Sequence, residues 1–189
     1  MKENDDYFLG LPAWAFPGWK DRYFEEVPSR LASYASVFNT VEGNTTFYRT
    51  PDQRTVSRWL EAVAGRQFRF CFKLPRDVTH EVEPDLDALR QFLDAIAPLE
   101  DHLGPLLVQF PATVGPSELD AMTPVFDTLD GRLDFVIEVR HAAFFSEPDR
   151  LEPVLERYRA GRVMLDSRPI FEGNRGHAEV LDALHEKPD

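Results

Sequence analysis

Seven residues at or just after short apolar runs carry the groups that proton transfer and anion recognition need: Glu42, Asn44, Lys73, Gln109, Glu138, Arg140 and Asp166. The carboxylates of Glu42, Glu138 and Asp166 can move a proton, and the ammonium of Lys73 and guanidinium of Arg140 can hold a carboxylate or phosphate. The carboxamides of Asn44 and Gln109 both donate and accept, so they can orient a ligand. His141 follows Arg140 directly, while Trp14 and Tyr48 stand in loops after the first two apolar runs, where they would wall a pocket. The candidate catalytic set is therefore Glu42, Lys73, Glu138 and Asp166. The candidate substrate-binding set is Asn44, Gln109, Arg140, His141, Trp14 and Tyr48.

Other readings of the same residues stand beside this one. Glu42, Lys73, Glu138 and Arg140 would equally form a structural ion network, since isolated buried charge is expensive and must be paired. Lys73 as a Schiff-base nucleophile would need a lowered pKa, to which Arg69, four residues back on the same face, would contribute. Glu42, Glu138, Asp166, His80 and His141 could ligate a divalent ion, but no tight spacing such as H-x-x-x-H supports a metal, and the expectation is no metal and no cofactor. Trp14, Trp19, Phe47 and Tyr48 would serve as well by packing the rim.

What must position these groups is an alternation of strands and helices. Strand candidates run Tyr7 to Leu11, Phe38 to Glu42, Phe68 to Leu74, Pro105 to Phe110, Phe135 to Val139 and Val163 to Asp166. Between them, helical periodicity covers Ser29 to Ser36, Pro51 to Ala64, Pro84 to Ile96, Ser117 to Leu129 and Pro148 to Ala160. Prolines at first turns and Gly65, Gly131 and Gly161 after helix ends supply start and stop signals. Side chains alternate along a strand, so Phe68, Phe70 and Phe72 share one face and Arg69, Cys71 and Lys73 the other. Likewise Phe135, Ile137 and Val139 oppose Val136, Glu138 and Arg140. Such an alternation predicts an α/β fold, a TIM (β/α) barrel of about six β/α units in a single domain over 1–189. No phosphate loop and no G-x-G-x-x-G follows a strand, which weakens an open nucleotide-binding sheet. In a barrel the carboxyl ends of the strands form the active face, so the seven polar residues would converge there.

Composition narrows the partners. Against 33 acidic residues stand 21 Lys and Arg, a net charge of -12 that repels nucleic acid and anionic membrane while leaving room for a local anion site. Cys71 is the only cysteine, so no intrachain disulfide forms, and a reducing cytoplasmic setting fits. The first residues, Met1 to Asp6, are polar and acidic, without a charged start leading into an apolar run, and no stretch reaches 18 uninterrupted apolar residues.

Several stretches also carry a family likeness: Gly10-Leu11-Pro12-Ala13-Trp14, Pro17-Gly18-Trp19, Phe38 to Tyr48, Phe68 to Lys73, Val108-Gln109-Phe110-Pro111, Ile137-Glu138-Val139-Arg140-His141 and Leu165 to Pro169. In that order they resemble the YecE-like family, domain of unknown function 72, in its YecE branch. The resemblance implies a TIM barrel with no established reaction, and a full barrel of ~250 residues, so this chain would be C-terminally truncated before the last two β/α units. Open strand edges would then favour self-association. The resulting expectation is an uncharacterised protein, an enzyme acting by acid–base chemistry on a small phosphorylated or carboxylated metabolite, or else a non-catalytic binding or scaffold protein, or a divalent-metal-dependent hydrolase or isomerase.

Overall fold

The computed structural model describes residues 7–15 and 29–166. Along them run α1 (Arg30–Tyr34), β1 (Thr40–Gly43), α2 (Thr45–Tyr48), α3 (Gln53–Val63), β2 (Arg69–Phe72), α4 (Arg76–Thr79), α5 (Leu86–Ile96), β3 (Leu106–Gln109), α6 (Thr123–Leu129), β4 (Phe135–Glu138), α7 (Ala143–Ser146), α8 (Glu152–Tyr158) and β5 (Gly161–Arg162). They fall into two units, one drawn from 1–76 and 85–106, the other from 77–84 and 107–189.

In the first unit β1 and β2 pair in parallel, Thr40 beside Arg69 through Gly43 beside Phe72. Burial alternates on both strands as the two-residue period requires, with Val41, Gly43, Phe70 and Phe72 buried and Thr40, Glu42, Arg69 and Cys71 half-buried. The buried faces meet the helices. Trp59 of α3 stacks on Phe70 and Phe72, with ring centres 6.0 and 5.3 Å away, and Phe72 meets Phe92 of α5 edge-on. Helix α3 starts where the Asp52 carboxylate accepts the Thr55 N–H, and it turns Val56, Trp59 and Val63 inward. Asp85 caps α5 in the same way, through the N–H groups of Asp87 and Ala88.

The strand expected at Tyr7 to Leu11 is not regular, and the reason lies in Tyr34. Leu9 and Leu11 carbonyls accept from Asn39 and Glu42 N–H, so two residues on one side span three on the other, as in a bulge. The Tyr34 hydroxyl fills the gap, accepting from Leu11 N–H at 2.6 Å and donating to the Thr40 carbonyl at 2.9 Å. Gly10 permits this approach, because a Cβ there would lie 2.1 Å from the Thr40 oxygen.

In the second unit the strand order is β3-β4-β5, with β4 and β5 parallel. Phe126 of α6 anchors the core against Phe110, Phe135 and Tyr158. The last strand expected from sequence, at Val163 to Asp166, is displaced: β5 is Gly161–Arg162, Val163 N–H still reaches the Ile137 carbonyl, and Met164, Leu165 and Asp166 are exposed. The sequence predicts a helix stop at Gly161, but Arg159 takes the left-handed cap of α8 at φ 51°. Gly161 instead opens the strand, its bare α-carbon facing the Val136 side chain. Gly65 and Gly131 do take positive φ after α3 and α6. The described residues thus form a mixed α/β fold with five strands in two sheets, where the sequence predicts six strands. No helix among them is long and apolar enough to cross a membrane.

Candidate functional site

In the first unit the strand ends bring together Glu42, Asn44 and Lys73. Lys73, one residue past β2, keeps only 8% of its surface exposed, and its Nζ stands 4.0 Å from the centre of the Phe47 ring. Its backbone is clamped. The Lys73 N–H donates to the Gly43 carbonyl, and the buried Thr46 hydroxyl lies within reach of the Lys73 and Gly43 carbonyls at 2.7 and 2.8 Å. Glu42 shares its face with Cys71, its register partner, and makes no side-chain hydrogen bond among the described residues. Burial pushes the Cys71 thiol up, the Thr40 hydroxyl opposes that, and the Glu42 carboxylate adds to the rise. Asn44 donates its amide to the Pro12 carbonyl at 3.1 Å, tying two loops together.

The remaining first-unit candidates face different surroundings. Tyr48 is 81% exposed and meets Phe47 edge-on. Trp14 meets Trp59 edge-on at 5.6 Å, so it packs with the helix layer rather than with Glu42 and Lys73. Arg69, weighed as an electrostatic neighbour of Lys73, donates to the Asp101 carbonyl at 2.6 Å.

In the second unit Gln109, at the end of β3, is buried, and Glu138 at the end of β4 accepts from Arg140 Nε at 2.9 Å. Both members of this pair are mostly shielded, with 10% and 21% of their side chains exposed. His141 follows, its Nδ1 accepting the Ala143 N–H at 3.1 Å at the start of α7. Asp166 is exposed and lies four residues beyond β5, so it is no longer a strand-end residue. Sequence reading passed over Glu118, which it placed inside a helix. The Glu118 carboxylate takes the Gly115 N–H at 2.8 Å and the Ser117 hydroxyl at 2.7 Å. These bonds, led by Ser117, hold it below the usual carboxylate range, and His141 adds a smaller pull. The signal was present as a polar residue three positions after a loop glycine, the spacing of a side-chain cap.

Elsewhere a hollow of about 210 Å³ opens beside Thr45, Arg49, Asp52, Thr55 and Trp59, and none of the expected site residues lines it. Among the described residues no three His, Cys, Asp or Glu side chains gather as a metal site would need.

The model of the family "Protein of unknown function DUF72" matches residues 8–186. The UPF0759 protein YecE of Escherichia coli (strain K12) is 38% identical over an alignment of 187 residues that covers 96% of this chain and 66% of that protein, and the form from Escherichia coli O157:H7 gives the same figures. The chain thus spans about two thirds of the length of these curated relatives. In fold it is similar to the crystal structure of a DUF72 family protein (EF0366) from Enterococcus faecalis V583, with TM-score 0.70, 24% identity, and 84% of this chain and 60% of that one covered. A DUF72 family protein (TM1631) from Thermotoga maritima MSB8 gives TM-score 0.69 at 20% identity, covering 95% of this chain and 85% of that one.

Proposed function

Because the chain belongs to the DUF72 family of proteins of unknown function, we propose that it forms most of a (β/α) barrel whose strand ends bind a small anionic metabolite and act on it by acid–base chemistry. Lys73 carries this reading. A lysine is normally left in water, and burying its ammonium is costly unless something compensates. Here the ammonium lies on an aromatic face, which favours a cation electrostatically, and the backbone beneath it is fixed from β1 and α2. Such an ammonium is positioned before any ligand arrives, which lowers the ordering cost of binding an anion. Glu42 is the proton-moving group of this reading, because its carboxylate is not spent on a hydrogen bond among the described residues. The setting of this reading is cytoplasmic, and light scattering measures directly whether the protein self-associates.

One observation favours a second reading. Glu138 and Arg140 are paired, and two shielded charges bonded to each other are what a non-catalytic scaffold would hold. Melting of Lys73→Ala and Arg140→Ala, with and without phosphate or citrate, separates the two. An anion site gives a parent protein stabilised by the anion, and Arg140→Ala then loses more of that effect than Lys73→Ala, because a guanidinium grips an oxyanion with two hydrogen bonds. A purely structural network gives losses of ~3 to 5 kcal/mol with no anion effect in the parent, and that result rejects the anion site.

A further inference from the structure

His141 stands between two fixed neighbours, and together they determine what its ring can do. The Ala143 N–H points at Nδ1 with 3.1 Å between the nitrogens. A ring nitrogen that accepts an N–H has no proton of its own, so the proton of the ring is on Nε2. On its other side the ring lies against the α-carbon of Gly115, where an added Cβ would meet His141 Nε2 at 3.3 Å and Glu118 Oε2 at 3.1 Å. The loop after β3 and the loop after β4 therefore approach each other at Gly115, where a Cβ would press on both side chains. Glu118 is held there by the Gly115 N–H and the Ser117 hydroxyl, so its carboxylate does not wander from the imidazole.

We propose that His141 serves the strand-end site as a hydrogen-bond donor through Nε2–H, and that Glu118 is the positioning residue that faces this edge of the ring across Gly115. The assignment rests on the anion reading above for its working partner, an oxyanion or carbonyl oxygen of the ligand. It gives His141 the part of a polarising donor rather than a proton acceptor or a metal ligand through Nδ1, because the Nδ1 lone pair is already occupied. A donor fixed in one tautomer at a strand end suits charge that develops on oxygen, since it need not reorient when that charge appears.

The test is a long-range proton–nitrogen NMR spectrum of the imidazoles in the ¹⁵N-labelled chain, with His141→Gln identifying the His141 signals. The expected result is one tautomer, with Nε2 protonated and Nδ1 not. A ring protonated on Nδ1, or an even mixture of tautomers, overturns the donor assignment. Glu118→Gln keeps the shape and removes the charge, so it is expected to move the His141 signals while those of His80 and His102 stay in place. Unmoved His141 signals in that variant overturn the positioning role of Glu118. Inorganic phosphate is then titrated into the parent, where a saturable shift of the Nε2–H signal is expected. A spectrum with the expected tautomer that phosphate does not touch rejects the anion reading alone, and the tautomer is judged by the ring signals without it.

Discussion

Replacing Tyr34 with Phe removes one oxygen and leaves the rest of a buried ring in place. That ring stacks on Phe38 at 4.8 Å and meets Phe68 edge-on, contacts that the variant keeps. What it loses is the bridge between the Leu11 N–H and the Thr40 carbonyl. Each bond contributes a net ~1 kcal/mol, and a polar group left buried without a partner costs ~1 to 3 kcal/mol. Leu11 and Thr40 are half-buried, so water recovers part of the loss, and about 2 kcal/mol is the expected cost. For a domain of this size that corresponds to a fall of about 4–8 °C in Tm. Calorimetry measures the fall, and hydrogen exchange at the Leu11 amide locates it, since that N–H should lose protection while those of β2 keep theirs. A variant that melts within about 1 °C of the parent with Leu11 still protected would refute the inserted-hydroxyl account.

Gly43→Ala puts a Cβ 2.5 Å from the Phe72 ring, which is packed between Trp59, Phe70 and Phe92, so overpacking of about 2 kcal/mol is expected in a denaturant titration. Gly10→Ala should be harsher, because its clash is with the Thr40 main chain, and its yield of folded protein is the readout. Burial, with help from Asp127, pushes the Tyr158 hydroxyl up to about 12. Its folded value lies above the unfolded ~10, so the stability it contributes is complete below pH 10 and is lost as pH rises toward 12. Tyr158→Phe should therefore flatten the alkaline limb of a Tm against pH profile. Glu118 has the opposite sign: its carboxyl is held low, so its contribution is present above the unfolded value and lost in acid, and Glu118→Gln should flatten the acid limb.

The parity of the strands was legible because the two-residue period is strict: Phe70 and Phe72 sit under Trp59, and Arg69 and Cys71 lie on the opposite face, as the alternation of residue types requires. Helices α3 and α5 were legible from their apolar spacing and the residues before them. The short helices α2, α4 and α7 were not, since four residues are too few to show a period. The bulge at Leu9 to Glu42 was invisible for another reason: the group that fills it comes from α1, and no local pattern records that Tyr34 reaches across to a strand. Gly161 misled because a glycine after a helix signals a cap, whereas Arg159 adopts the left-handed conformation itself.

Residue type says which groups can do chemistry, and the hydrogen bonds say which are still available for it. Asn44 has an amide proton committed to the Pro12 carbonyl, and Glu138 and Arg140 are committed to each other. A change at any of these disturbs a loop or a pair before it touches a ligand, so lost activity there would be ambiguous. Glu42 differs, because its carboxylate accepts no hydrogen bond among the described residues and borders the Cys71 thiol. On the proposed reading Glu42→Gln is therefore the variant that separates chemistry from folding. It removes the group that moves the proton while disconnecting nothing that holds β1 to β2, since those strands are joined through their main chains and the Thr40 hydroxyl.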